Sequence, residues 1–302
     1  MAAKSQLNID GVKVEVSNLD KVFYPKTGFT KGDMIEYYIK ISKYLLPHLK
    51  NRPISLKRYP DGVEGFFFYE KQCPSHRPEW VKTAKVARKD GSDIDYCLMN
   101  DLPALVWAAN LADLELHTFL HRAPAIETPT TLAFDLDPGP PADIIQCCEV
   151  GMWLEKMFAK LKLKCFPKTS GSKGLQVYVP LNTRVTYEKT KTFAHAIAET
   201  LEREFPDTVV SKMQKHVRAG KVLVDWSQND PHKTTVCVYS LRAREHPTVS
   251  TPVTWKEVAA AFKKKNAGLL TYEADEVVKR VKKYGDLFAP VLTLKQKLPA
   301  IR

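Results

Sequence analysis

The sequence predicts a mixed α+β chain. Strand-like segments of alternating apolar and polar residues recur along its length, and capped amphipathic helical stretches stand between them. The two kinds alternate irregularly, which argues against a doubly wound parallel sheet. Its 302 residues suffice for one large domain or two modest ones, and 44% hydrophobic content with five Trp supports a substantial core.

Residues 7–16 read as two short strands about Asp10-Gly11, a hairpin signal. Residues 18–33 form a basic loop with interleaved aromatics, whose Lys21, Lys26 and Lys31 suit a phosphate and solvent equally. Thr30 or Asp33 caps a helix that runs to Leu49, with Ile35, Tyr38, Ile39 and Leu45 as its apolar stripe. A strand with basic ends covers residues 53–59, and another covers 65–71 with four consecutive aromatics, Phe66-Phe67-Phe68-Tyr69. Four adjacent rings cannot all face one core, so either some are open to stack on bases beside Lys and Arg or other elements cover both faces. Residues 80–97 read as strands about a turn at Lys89-Asp90-Gly91-Ser92, and Asp101 caps a helix from Leu102 to Asn110. Residues 114–119 alternate as a strand with Glu115 and His117 on one side. Further helices are expected over 142–162, 187–204, 255–265 (capped by Thr254) and 274–283, with strands over 164–166, 175–180, 221–225 and 233–244. The tail from Leu292 to Arg302 is basic and irregular.

The formal net charge of +12 and pI near 9.3 favour a polyanionic partner such as nucleic acid. Six Cys occur without a CxxC pair or zinc spacing, which predicts reduced structural thiols. No run of about 20 apolar residues exists to cross a membrane. The first residues, Met1 to Gln6, contain no apolar signal core, so a cytoplasmic location without membrane contact is expected.

The chemistry concentrates after residue 130. In the strand that starts at Thr130, Leu132, Phe134 and Leu136 point one way and Ala133, Asp135 and Asp137 the other. Two carboxylates on one strand face repel each other and lose solvation. A divalent cation removes both penalties, and hard oxygen ligands suit Mg²⁺ or Mn²⁺. Pro138-Gly139-Pro140-Pro141 ends the strand, so the pair sits at its tip. The turn Ser170-Gly171-Ser172-Lys173-Gly174 has the backbone N–H groups, hydroxyls and cation of a phosphate cradle, and equally the composition of a plain hairpin turn; it is not a Walker A loop. A basic stretch, Lys212 to Lys221, then runs into a strand ending in Asp225. Three aspartates from two strands suit two divalent ions about 3.5–4 Å apart, which clamp attacking and leaving oxygens in phosphoryl transfer. Arg242 and Arg244, on one side of an extended chain, suit triphosphate oxygens.

Taken in order, Phe134-Asp135-Leu136-Asp137-Pro138-Gly139, Thr169-Ser170-Gly171-Ser172-Lys173-Gly174-Leu175, Val224-Asp225-Trp226-Ser227-Gln228-Asn229, and Lys233-Thr234-Thr235 followed by Tyr239-Ser240-Leu241-Arg242-Ala243-Arg244 resemble the polymerase domain of bacterial DNA ligase D, of the archaeo-eukaryotic primase superfamily. The resemblance runs from about residue 10 to 295. It implies a primase-polymerase core with a central, largely antiparallel sheet flanked by helices. One such domain would cover residues 1–302, with 1–110 as a DNA-end-binding part and 111–295 as the catalytic core. The implied activity is a template-directed, ribonucleotide-preferring nucleotidyltransferase that fills gaps and extends 3′ ends in non-homologous end joining. Its cofactors would be two Mn²⁺ or Mg²⁺ ions and its substrates NTPs. Its partners would be DNA with 5′-phosphorylated ends or gaps, Ku and a DNA ligase. The chain looks like a stand-alone form whose Ku and ligase are separate proteins, acting at the nucleoid.

Residue by residue, Asp135, Asp137 and Asp225 match the metal-binding carboxylates. His117, Ser170, Lys173 and Arg242 match positions that hold the incoming triphosphate, with Ser172, Gln176 and Arg244 beside them. Lys21 and Lys31, with Lys26 near them, match the grip on a 5′-phosphate; Phe67, Phe68 and Tyr69 match template-stacking aromatics; Arg218 matches a residue used in pairing two DNA ends. Gln176 departs from the pattern, since a His is usual there. A neutral amide gives a hydrogen bond roughly half as strong as a charged donor, so weaker nucleotide binding is expected. Two alternatives remain open: a de novo primase, and a DNA-end-binding or synapsis protein with weak catalysis.

Overall fold

The computed structural model describes residues 4–88 and 90–299. The first three residues, Lys89 of the expected turn and the last three of the tail lie outside the described residues. The chain opens with a hairpin, β1 (Lys4–Ile9) and β2 (Val12–Ser17). Asp10 and Gly11 turn it at φ 50° and 82°, the left-handed pair that a tight hairpin turn requires. A small ladder of β3 (Val22–Tyr24) and β4 (Phe29–Thr30) leads into α1 (Lys31–Leu49). Thr30 and Asp33 act together as a capping box, each satisfying the other's backbone N–H. Next come β5 (Pro53–Arg58), β6 (Phe68–Glu70), β7 (Thr83–Ala87), β8 (Asp93–Leu98), α2 (Leu102–Asn110), β9 (Asp113–Thr118) and β10 (His121–Arg122). The chain continues through β11 (Ala125–Pro129), β12 (Thr131–Pro138), α3 (Ile144–Lys160), β13 (Phe166–Thr169), β14 (Leu175–Pro180), α4 (Tyr187–Glu204), β15 (Val209–Val210) and β16 (Val222–Asp225). It ends with β17 (Thr235–Val236), α5 (Trp255–Lys264), α6 (Ala274–Tyr284) and α7 (Ala289–Thr293).

Two compact units share these elements. One takes residues up to Pro124, Thr234–Val249 and Tyr272–Gly285; the other takes Ala125–Lys233, Ser250–Thr271 and residues from Asp286 onward. β9 pairs with β5 and so belongs with the first unit, whereas a division at residue 110 would leave it with the second.

The fold is mixed α+β, with its strands distributed between two main sheets. In the first unit the order is β17-β9-β5-β8-β7, with β6 also on β5, and every pairing is antiparallel. In the second it is β13-β14-β12-β16-β15, antiparallel except for the β15–β16 pair. α3 packs on the sheet face that carries Leu136 and Leu175. A Cβ at Gly151 of α3 would lie 2.9 Å from Leu175 Cδ2, so glycine lets the helix sit close. Covering that face leaves Asp135 and its neighbours on the other.

Three expectations are corrected. The strand expected over 233–244 is only β17, because Tyr239 takes φ 65° and turns the chain out of the ladder. The strand expected over 65–71 shrinks to β6. Cys73 and Cys97 are joined by a disulfide: the loop after β6 returns to β8, where Cys73 N–H donates to the Asp95 carbonyl at 2.7 Å. The other four cysteines are free and buried, as expected. Among the described residues, no helix is long and apolar enough to cross a membrane.

Candidate active site

On the second unit's sheet, the register lines up four polar side chains. Lys168 on β13 lies opposite Gln176 on β14, Gln176 opposite Asp135 on β12, and Asp135 opposite Asp225 on β16. Residues opposite one another in a ladder project from the same face, so a single row crosses four strands. Asp137, two residues further along β12, projects from that face too and is exposed at its end. Burial first, and then the neighbouring Asp225 carboxylate, push the Asp135 carboxyl up to about 6, against a hydrogen bond from Gln176 and the charge of Lys168.

Each of the other two aspartates has local partners. Asp225 Oδ1 accepts from the Ser227 N–H at 2.8 Å and its hydroxyl at 2.6 Å, and Oδ2 accepts from Gln228 Nε2 at 2.9 Å. Asp137 Oδ2 lies 3.5 Å from Arg218 Nη1. The carboxylates point at these partners, and among the described residues no three His, Cys, Asp or Glu side chains are already gathered about one point. Their chemistry still fits a divalent cation: hard oxygen donors on one face, with Asp135 and Asp225 adjacent and the charge of one raising the pKa of the other. Asn229, fully buried, fixes the strand beneath them. It accepts from Ala133 N–H at 3.0 Å and donates to the Ala133 carbonyl at 2.8 Å.

The Ser170–Gly174 turn abuts this strand tip. Ser170 Oγ accepts from the N–H groups of Ser172 at 3.2 Å and Gly174 at 3.0 Å, which holds the turn closed. A Cβ at Gly174 would lie 2.1 Å from the carbonyl oxygen of Leu136, the residue between the two aspartates, so only glycine permits the approach. Lys173 is exposed at the turn. The basic loop lies over the same tip. Gly139 N–H donates to the Lys221 carbonyl at 2.8 Å, and a Cβ on Gly139 would come within 2.0 Å of the Arg218 carbonyl oxygen. Arg218 thus faces Asp137 and the Met213 carbonyl. Gln176 is 3% exposed, and its amide is engaged by Lys168 and Asp135 inside the row.

The first unit holds a second ionic centre. Glu115 on β9 is 2% exposed. Its Oε2 accepts from Lys57 Nζ at 3.1 Å and lies 2.9 Å from His117 Nε2; its Oε1 accepts from Ala243 N–H at 2.9 Å and lies 3.3 Å from Arg242 Nε. Burial alone would raise this carboxyl. The His117 hydrogen bond and the charges of Arg242, His117 and Lys57 hold it well below the usual carboxylate range. Burial lowers the His117 ring, against the same Glu115 contact. Arg244 is exposed.

Lys57 also joins this centre to the aromatic strand. Its ammonium lies 5.2 Å from the Tyr59 ring centroid, 4.8 Å from Phe67 and 5.6 Å from Tyr69. Tyr59 and Phe67 stack at 5.2 Å, and Phe66 and Phe68 at 6.0 Å, with Arg58 5.2 Å from Phe68. Phe66 is 72% exposed, Phe67 46% and Tyr69 51%. Exposed rings therefore stand beside Lys57 and Arg58, with Phe66 the most exposed of them.

Each of the three lysines near the chain start has a partner. Lys21 pairs with Asp61 at 2.7 Å and Lys26 with Glu245 at 2.5 Å. Lys31 is buried, donating to the Ser17 carbonyl at 2.7 Å and Asn110 Oδ1 at 2.8 Å. Burial and the charges of Lys21 and Arg58 lower its pKa to about 8. Lys31 N–H donates to the Lys21 carbonyl at 2.8 Å, which keeps the two lysines side by side.

Sequence reasoning missed Glu115 as a hub, Lys57 and Phe66 as parts of the platform, and Lys168. Alternation had placed Glu115 beside His117, and Lys168 directly precedes the turn, but their partners lie far away in the chain.

Comparison with known proteins gives a consistent picture. A model of the LigD primase-polymerase domain matches residues 30–288. The multifunctional non-homologous end joining protein LigD of Mycolicibacterium smegmatis is 40% identical over 285 residues, covering 92% of this chain and 36% of that protein. The bifunctional non-homologous end joining protein LigD of Bacillus subtilis is 33% identical over 274 residues, covering 90% of this chain and 43% of that protein. The chain thus spans well under half the length of these curated relatives. The polymerase domain of Mycobacterium tuberculosis ligase D, solved in complex with DNA, superposes with a TM-score of 0.86 at 39% identity, covering 93% of this chain and 98% of that one.

Proposed function

Because the chain belongs to the LigD primase-polymerase domain family, we propose that it is a template-directed nucleotidyltransferase that fills gaps and extends 3′ ends at DNA breaks in non-homologous end joining. The observation that carries this reading is the pairing of Asp135 with Asp225 across adjacent strands, with Asp137 on the same face and the Ser170–Gly174 turn packed against the strand between the two β12 aspartates. Asp135, Asp137 and Asp225 would hold two divalent ions, Mn²⁺ or Mg²⁺, which supply neutralising charge and a more acidic primer hydroxyl.

The chain's own residues do the rest. Ser170, Ser172 and Lys173 offer donors to phosphate oxygens; His117, Arg242 and Arg244, by the family resemblance, are also proposed as triphosphate donors. Glu115 is a positioning residue: it fixes His117 and Arg242. The primer 3′-hydroxyl attacks the α-phosphorus in line and pyrophosphate departs, chemistry that positioning and charge suffice to catalyse. Phe66, Phe67, Phe68 and Tyr69 would stack on template bases. Lys21, Lys26 and Lys31 would grip a 5′-phosphate by exchanging their present partners for it, and Arg218 would leave Asp137 to help pair two ends. Ribonucleotides are the preferred substrates in this reading. A filled break still needs holding and sealing, so Ku and a DNA ligase are the expected partners, at the nucleoid.

The test is primer extension on a gapped duplex with Mn²⁺, comparing NTPs with dNTPs and a downstream 5′-phosphate with a 5′-hydroxyl. Templated addition that the phosphate stimulates, stronger with ribonucleotides, supports the reading. No addition, with phosphate-dependent binding retained, would favour an end-bridging protein, for which the Asp137–Arg218 pair speaks.

A further inference from the structure

We propose that Lys168 is a positioning residue for the metal carboxylates, acting through the Gln176 amide; this rests on the reading that Asp135 binds a divalent ion. Lys168 is completely buried. Its ammonium donates to Gln176 Oε1 at 2.5 Å and to Ser250 Oγ at 2.6 Å, and lies 5.5 Å from the Tyr178 ring centroid. The Ser250 hydroxyl proton is committed to the Thr169 carbonyl at 3.0 Å, so its oxygen has a lone pair for the lysine. An ammonium this deeply buried carries a large desolvation cost, which packing two strands does not require.

The arrangement settles the orientation of one amide. A primary amide has a donating end and an accepting end, and reversing it costs little when neighbours accept either. An ammonium has donors only. With Lys168 on one side, the Gln176 oxygen must face it, and the NH₂ must then face Asp135, to which Gln176 is hydrogen-bonded. Lys168 therefore keeps a donor, and not an acceptor, against Asp135. Without it the amide oxygen loses its anchor, the NH₂ is held only by the carboxylate it places, and the Asp135 carboxylate would lose its fixed pose. Residues that orient a metal ligand from behind typically change metal affinity by about ten- to a hundredfold when removed.

The experiment measures Mn²⁺ binding directly, by calorimetry and by the loss of the free-ion paramagnetic resonance signal, in wild type, Lys168→Met, Gln176→Met and the double variant. Both single variants should weaken Mn²⁺ binding about tenfold or more, and the double variant no further, because each breaks the same relay. Mn²⁺ affinity unchanged in either single variant, or losses that add in the double variant, would overturn the proposal. If Lys168→Met does not fold, Gln176→Met decides the question alone, since it leaves the lysine in place. Asp137→Ala is the control. Wild type that binds Mn²⁺ no better than Asp137→Ala would defeat the metal reading itself, an outcome distinct from failure of the relay.

Discussion

The molecule carries two carboxylate centres with opposite charge balance, one buried and one half-buried. Glu115 has one negative charge and is met by Lys57, His117 and Arg242, so cations predominate. Asp135 stands opposite another aspartate, and Lys168 is hydrogen-bonded to the Gln176 amide beside it, so the two carboxylates face each other. The carboxyl values follow: Glu115 is held well below the usual range, and Asp135 is pushed up to about 6. The difference teaches what each is fitted to hold. A centre with spare positive charge accepts an anion such as a triphosphate, and one with spare negative charge accepts a metal ion. In neither place is the imbalance explained by folding, since an apolar core would be cheaper.

The largest effect should come from removing negative charge at the aspartate centre. Asp137→Ala is expected to bring nucleotide addition below detection while DNA binding, read by fluorescence anisotropy, stays near wild type. Loss of both would make the aspartates structural and erase the contrast. Next is Glu115→Gln, which leaves the cations Lys57 and Arg242 around a neutral amide. It should cost about 3 kcal/mol in denaturant unfolding, as breaking a buried pair does, and raise the KM for NTP. The pH sign follows from the lowered carboxyl. The Glu115 contribution is complete above the ordinary value of 4.5 and is lost as pH falls toward its folded value, so wild type should lose its advantage over the variant on acidification.

A smaller effect is expected at the aromatic strand. Phe67→Ala should weaken template binding by about 1 kcal/mol, the value of one lost stacking surface, in a titration with single-stranded overhangs. No change would mean that Phe66 is the ring that meets the base. The smallest concerns Lys31, whose pKa of about 8 leaves it partly neutral near that pH. Binding a phosphate should raise that value, so 5′-phosphorylated DNA should take up a fraction of a proton near pH 8, seen as a dependence of calorimetric heat on buffer ionisation enthalpy. A 5′-hydroxyl end, or Lys31→Met, should show none.

Local features were legible in the sequence. Thr30, Asp101 and Thr254 cap helices whose extents the apolar spacing outlined, because capping involves only the first turn. Asp135, Asp137 and Asp225 were legible too, since alternation fixes the face a strand residue takes. What was hidden depends on distant partners. The Glu115 hub joins residues 58 and 128 positions apart. The Cys73–Cys97 link, 24 residues apart, follows no spacing rule, and the left-handed turn at Tyr239 that ends β17 is imposed by packing, not by composition. Lys168 and Gln176 illustrate the limit. Each was visible as a polar residue near the turn, yet their meaning lies in a ladder register that the sequence alone does not supply.

The threading of the chain between its two compact units bears on how the protein is made. The first unit lacks residues until Gly285 has been translated, although its opening portion ends at Pro124. The second begins at Ala125 and still draws on residues from Asp286 onward. Neither unit can close while the ribosome is still extending the middle of the chain. Both must wait incomplete: β9 lacks its partner β17, and the second unit lacks α5 and α7. Final assembly therefore awaits residues beyond 285, and a nascent chain stalled near residue 230 should bind trigger-type chaperones and resist neither protease nor aggregation.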